Sequence, residues 1–145
     1  MITYRDSSAL IVVDMQNDFA DADGSLYVSG GSDLIGPINR EIVRATAAGA
    51  FVVYTQDWHS PDHGSFAASH PGAAPFSSTE MQYGPQVLWP VHCVQGTPGA
   101  AFHPALDTDA ADMVLRKGFR PQVDSYSAFF ENDHKTPTGL EGDLR

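Results

Sequence analysis

The sequence predicts an α/β fold built on a parallel sheet, and three observations carry that prediction. Ala9-Leu10-Ile11-Val12-Val13 and Ala50-Phe51-Val52-Val53-Tyr54-Thr55 are short, continuous, β-branched-rich runs. Continuous rather than alternating apolar character marks a strand buried on both faces of a parallel sheet. The segment between them has apolar residues at helical spacing, so strand, helix and strand follow one another as in a βαβ unit. A third run, Met113-Val114-Leu115-Arg116, repeats the strand signal.

Each element has local reasons. Ser32 or Asp33 suits the cap of the helix, and Leu34, Ile35, Ile38, Ile42, Val43 and Ala47 supply its apolar stripe. Gly49 fits the stop that follows. The second strand runs into Asp57 and the third into Lys117-Gly118. From Ser60 to Gly99 the chain reads as loop, dense in Pro, Gly, Ser and His. A loop that long in a compact domain is usually functional or disordered, and its aromatic and histidine content favours function. Thr138-Gly139-Leu140-Glu141 has the spacing of a capping box, so a helix is expected to begin there. No internal repeat, low-complexity tract or second domain is visible.

Composition narrows the function. A chain of 145 residues is one domain's worth. Hydrophobic residues at 42% against 18% charged exclude a disordered chain. The formal charge of −10 argues against a nucleic-acid binder, which needs clustered cations. No apolar run approaches the ~20 residues that span a bilayer, and Met1-Ile2-Thr3-Tyr4-Arg5-Asp6 lacks the layout of a signal peptide. Cys93 is the single cysteine, which precludes an internal disulfide. A reducing, cytoplasmic compartment is the simplest expectation.

The three strands end at Asp14, Asp57 and Lys117. In open α/β sheets the ligand crevice lies beyond the carboxyl ends of the strands. Any one of these residues alone is ordinarily a solvated loop residue; the coincidence of all three favours a shared site. Asp57-Trp58-His59 sets a carboxylate and an imidazole two residues apart, on one side of extended backbone. With His92 or His63 from the long loop, they make a plausible set for Zn²⁺, Fe²⁺ or Mn²⁺. Cys93 reads as a ligand, a nucleophile or a small buried hydrophobe. The last is favoured, because no strand-to-helix turn sets it against a base. Phe19 and Trp89 either wall an apolar slot for a flat ring or pack in the core.

Four segments, taken together and in order, resemble the nicotinamidase/pyrazinamidase branch of the isochorismatase-like cysteine hydrolases. They are Val13-Asp14-Met15-Gln16-Asn17-Asp18-Phe19, Asp57-Trp58-His59-Ser60-Pro61, Trp89-Pro90-Val91-His92-Cys93-Val94 and Arg116-Lys117-Gly118. The first is shared across the wider superfamily; the Asp-Trp-His and Trp-Pro-x-His-Cys pair points to nicotinamidases. The resemblance runs from about Ala9 nearly to the end of the chain. It implies a three-layer α/β/α domain and an Asp, Lys and Cys triad beside a divalent metal. Asp14 matches the proton acceptor and Lys117 the catalytic lysine. Asp57, His59 and His92 match the metal ligands, with zinc first and Fe²⁺ or Mn²⁺ open. The metal would hold the pyridine nitrogen of nicotinamide. Phe19, Trp89 and Tyr126 match the walls of the ring pocket. His63 lies near a position that ligates metal in some relatives, and Glu80 is another side chain open to completing the shell. The implied reaction is hydrolysis of a small amide, nicotinamide with pyrazinamide as its look-alike, in NAD salvage.

The resemblance lacks one part. The family's nucleophilic cysteine lies in a later Val-Gly-(Ile/Leu)-Ala-x-(Asp/Glu)-x-Cys-Val context that this sequence does not contain. The expectation is an N-terminal portion of the domain, inactive alone, with a C-terminal fragment of the same protein as partner; a homo-oligomer is compatible. Other expectations are a catalytically inactive metal- and pyridine-binding module, or a hydrolase for another small amide. The Asp57/His59/His92 set counts against isochorismate as substrate.

Overall fold

A computed structural model describes residues 2–145. Its centre is a parallel sheet of β1 (Ala9–Val12), β2 (Phe51–Asp57) and β5 (Met113–Lys117), in the order β1-β2-β5. Leu10 pairs with Val52 and Val12 with Tyr54; on the other side of β2, Val53 pairs with Met113 and Asp57 with Lys117. β2 is buried from Val52 to Asp57, as its unbroken apolar run requires of a central strand. β1 differs from expectation. It pairs only with β2 among the described residues and ends beside an exposed Val13, because one of its edges has no strand against it.

Helix α2 (Ile35–Ala47) crosses from β1 to β2 and buries Ile35, Ile42 and Ala45. Together with Val12, Val52 and Tyr54 they form the main core, while Val53, Leu115 and Leu140 form a smaller one. Leu140 belongs to α3 (Leu140–Asp143), a single turn that packs against Val53 and Leu115. Val43 and Leu34 are exposed, since one residue's step of about 100° carries each off the buried stripe. Neither Ser32 nor Asp33 caps α2: both lie in a 3₁₀ turn, Ser32–Leu34, that leads into it. The expected stop holds. Gly49 has φ 72°, and Ala50 N–H returns to the Ala45 carbonyl at 3.0 Å.

Two stretches correct the sequence reading. A short helix, α1 (Asn17–Ala20), follows β1. The long loop contains an antiparallel hairpin, β3 (Ser78–Met81) and β4 (Gly84–Val87). Four-residue strands with little apolar alternation leave almost no periodic signal. The helix expected from Thr138 is present as α3, with Gly139 (φ 105°) at its N-cap; Thr138 Oγ1 accepts from Leu140 N–H at 3.4 Å and donates to the Ala128 carbonyl at 2.5 Å. No helix among the described residues is long and apolar enough to cross a membrane.

Candidate functional site: a buried ion pair joined to a metal-ligand set

The site lies at the carboxyl ends of the three parallel strands. Asp57 and Lys117 are register partners on β2 and β5, so neighbouring backbones bring their side chains together. Lys117 Nζ lies 2.5 Å from Asp57 Oδ1 and 2.8 Å from Asp14 Oδ2, and it donates to the Ser125 carbonyl at 2.8 Å. Asp14, just beyond β1, has φ 50°, and its Oδ1 accepts from Thr55 Oγ1 at 2.6 Å. Gln16 ties the strand ends to one another. Its buried amide donates to the carbonyls of Asp57 (2.9 Å) and Ala100 (2.8 Å) and accepts from Asp57 N–H (2.8 Å).

The charges set one another. Burial alone would lower the Lys117 pKa, but Asp57 and Asp14 outweigh it and hold the ammonium charged. Burial alone would raise Asp57; the His59 ring and Lys117 outweigh it and keep the carboxyl ionised, at about 2. Asp14 moves the other way. Burial raises it and the charge of Asp57 adds to the rise, while Lys117 pulls against both.

Asp57, His59 and His92 bring one donor atom each within 4.8 Å of one another, and all three are buried. The rings are oriented by their far nitrogens. His59 Nδ1–H donates to the Gly118 carbonyl and His92 Nδ1–H to the Pro90 carbonyl, both at 2.7 Å. In the neutral rings this leaves each Nε2 with a free lone pair, the arrangement usual for metal-binding histidines. His59 Nε2 is buried without a hydrogen-bond partner among the described residues. It lies 3.6 Å from Asp57 Oδ2 and 3.8 Å from Asp124 Oδ1. Burial alone would lower the His59 pKa, yet the two carboxylates and the Gly118 carbonyl raise it. The surroundings thus favour positive charge at that atom. A stranded lone pair between carboxylates fits a divalent cation. Gly118 makes the approach possible: a Cβ there would lie 2.5 Å from His59 Cε1, and its φ is +65°.

Asp14, Asp57, Lys117 and His92 open into one cavity of about 340 Å³, whose walls include Phe19, Trp89 and Tyr126. The acid, lysine and ring-wall residues expected from the sequence thus share one cavity, and the donor set adds His59 to Asp57 and His92. Tyr126 Oη accepts from Trp89 Nε1 at 2.8 Å and from Gln86 Nε2 at 2.6 Å. Gln86 also donates to the Val87 carbonyl and accepts from Tyr83 Oη and Asn132 Nδ2. It thus locks the aromatic wall to the hairpin. Sequence reasoning missed this part, along with Asp124 and the Leu26–Val28 stretch that also lines the cavity. His63 is buried beside the set, in a second group with His59 and Asp124. Glu80 belongs to neither group and is exposed on β3. Cys93 is fully buried, with a backbone N–H that donates to Asp18 Oδ2 at 2.7 Å. Burial and the charges of Asp57, Asp18 and Asp14 push its thiol well up. This is the buried, unreactive cysteine that the sequence favoured.

Residues 8–136 match the isochorismatase domain, and the chain belongs to that family. It is similar to the nicotinamidase of Acinetobacter baylyi, 51% identical over 137 residues that make up 94% of this chain and 62% of that protein. Its structure is similar to that of a nicotinamidase/pyrazinamidase from Acinetobacter baumanii, with TM-score 0.89 and 50% identity, covering 96% of this chain and 65% of that one. A pyrazinamidase of Pyrococcus horikoshii solved in complex with zinc is similar at TM-score 0.67 and 34% identity, over 96% of this chain and 64% of that one. The chain spans less than two thirds of the length of these relatives.

Proposed function

We propose that the protein is a nicotinamidase, hydrolysing nicotinamide, and pyrazinamide with it, to the carboxylate and ammonia. The observation that carries this reading is the position of Asp57. One of its oxygens pairs with Lys117 and the other faces His59, so the ion pair and the metal-ligand set form one site. Similarity to nicotinamidases supports the choice of substrate. A cytoplasmic place in NAD salvage belongs to the same reading; an unpaired cysteine suits a reducing compartment.

Asp14 is the proton acceptor in this reading. Its raised pKa moves it toward the range in which a carboxylate can both take and return a proton. Lys117 stays cationic and lowers the pKa of any thiol brought beside it. The thiolate forms a C–S bond to the amide carbon, the C–N bond breaks, and ammonia leaves with a proton returned through Asp14. Water then releases the carboxylate and restores the thiol. The geometry does not suit Cys93 to this role, so the thiol is assigned to a cysteine outside these 145 residues. Phe19, Trp89 and Tyr126 hold the ring. Asp57, His59 and His92 would hold the divalent cation, which when bound supplies a Lewis-acid point for the pyridine nitrogen. Zinc is the first choice, given the zinc-bound relative; the Asp/His₂ set also suits Fe²⁺ and Mn²⁺.

The test is ammonia release from nicotinamide, with the intact mass of the sample measured alongside. The 145-residue chain alone is expected to bind metal and pyridine amide without turnover, and to turn over once a cysteine-bearing polypeptide completes it. Turnover that survives Asp14→Asn, or that Cys93→Ala abolishes, would overturn the assignment of roles.

A further inference from the structure

Two donor triplets share His59: Asp57/His59/His92 and His59/His63/Asp124. His59 has one free nitrogen, Nε2, so it serves one ion. Ring orientation decides between them. His59 and His92 each donate Nδ1–H to a carbonyl, which leaves Nε2 a lone pair. His63 has no such carbonyl: its Nδ1 accepts from Ser65 N–H at 3.2 Å and lies 2.9 Å from Ser65 Oγ. The first triplet is the one whose nitrogens are set for an ion.

That leaves Asp124 unexplained. It is 2% exposed, it lines the same cavity as Asp57 and His92, and its Oδ1 faces His59 Nε2 at 3.8 Å. The same oxygen accepts from Ser125 N–H at 2.7 Å. A count of buried charge gives it a role. Asp14 and Asp57 carry two negative charges and Lys117 one positive, so the pair network is net −1. A divalent cation on neutral His59 and His92 would bring the site to +1. Asp124 returns it to zero, and uncompensated charge is strongly disfavoured in a buried site.

We infer that Asp124 is a positioning residue for the metal set. It faces the ion from outside its ligands and tightens binding by neutralising the charge left over. The inference rests on the assignment of Asp57, His59 and His92 as the ligands.

The experiment is Zn²⁺ titration of the full chain against a chromophoric chelator, with the visible spectrum of the Co²⁺-loaded protein as a second readout. Asp124→Asn is expected to weaken Zn²⁺ binding about 10–100-fold, the usual effect of an outer-shell partner. One ion per chain and the Co²⁺ bands stay as in the parent, because the ligands are the same. Asp124→Glu, which restores the charge, recovers most of the affinity. If Asp124→Asn does not fold, Asp124→Ser keeps an oxygen for Ser125 N–H and takes its place. Unchanged affinity overturns the inference. So does a Co²⁺ spectrum showing a lost ligand, which would make Asp124 a direct ligand, or a second ion that disappears with the mutation. A parent that binds no Zn²⁺ would instead sink the ligand assignment itself.

Discussion

Replacing Lys117 with methionine tests the centre of the site. The ammonium is 1% exposed and neutralises two carboxylates, at 2.5 and 2.8 Å, whose side chains are only 10% and 17% exposed. Methionine fills the space but leaves both carboxylates without their cation. Breaking a buried ion pair from one side costs about 3–5 kcal/mol, a large part of the ~5–15 kcal/mol that holds a domain together. The pH dependence follows from the shifts. In the parent, Asp57 has a folded pKa of about 2, below its unfolded value. It adds stability that is present above the unfolded pKa and lost as pH falls toward the folded one. In the variant Asp14, already raised by burial in the parent, rises further, and Asp57 loses the pull of Lys117 but keeps that of the His59 ring, so protonation of Asp14 relieves part of the cost as pH falls. The gap between parent and variant is therefore expected to narrow from pH 7 to pH 5. Urea unfolding followed by the fluorescence of Trp58 and Trp89 measures it at both pH values. Adding Asp57→Asn to the variant should recover part of the loss. A destabilisation below about 1 kcal/mol at pH 7, or one equal at both pH values, would refute the reasoning.

Other expectations follow from the same geometry. Asp14→Asn should lower kcat for nicotinamide about 10²–10⁴-fold in the active protein. Gly118→Ala forces a side chain into a φ of +65° and against His59. A loss of at least about 1 kcal/mol is expected, read as a lower Tm together with weaker Zn²⁺ binding. Gln86→Leu unties Tyr126 and Trp89 from the hairpin. It should raise KM several-fold while kcat stays within about twofold, and an unchanged KM would show that the wall holds its position without it.

The elements that could be read from the sequence are those with a period. β2 and α2 carry continuous and helical apolar patterns long enough to be distinctive. The β3–β4 hairpin was hidden because Ser78-Thr79-Glu80-Met81 and Gly84-Pro85-Gln86-Val87 have neither the length nor the alternation to signal a strand. Thr138 pointed to the helix that α3 forms, but Gly139 takes the N-cap position, and the Thr138 hydroxyl donates ten residues back, to Ala128, which no local spacing foretells. Asp124 sits in a loop with no motif of its own.

The sequence alone determined which groups stand at the strand ends. Asp14, Asp57 and Lys117 follow apolar runs that had to be strands, and His59 had to share a side with Asp57. It also favoured a buried, packing role for Cys93 over that of a nucleophile. Only the tertiary structure decided how these groups meet: that Asp57 stands in register with Lys117, and that His59 Nε2 lies between two carboxylates. Local propensity acts over a few residues, whereas these distances join residues up to 65 positions apart. Strand register and core packing set them, and both are properties of the whole folded chain.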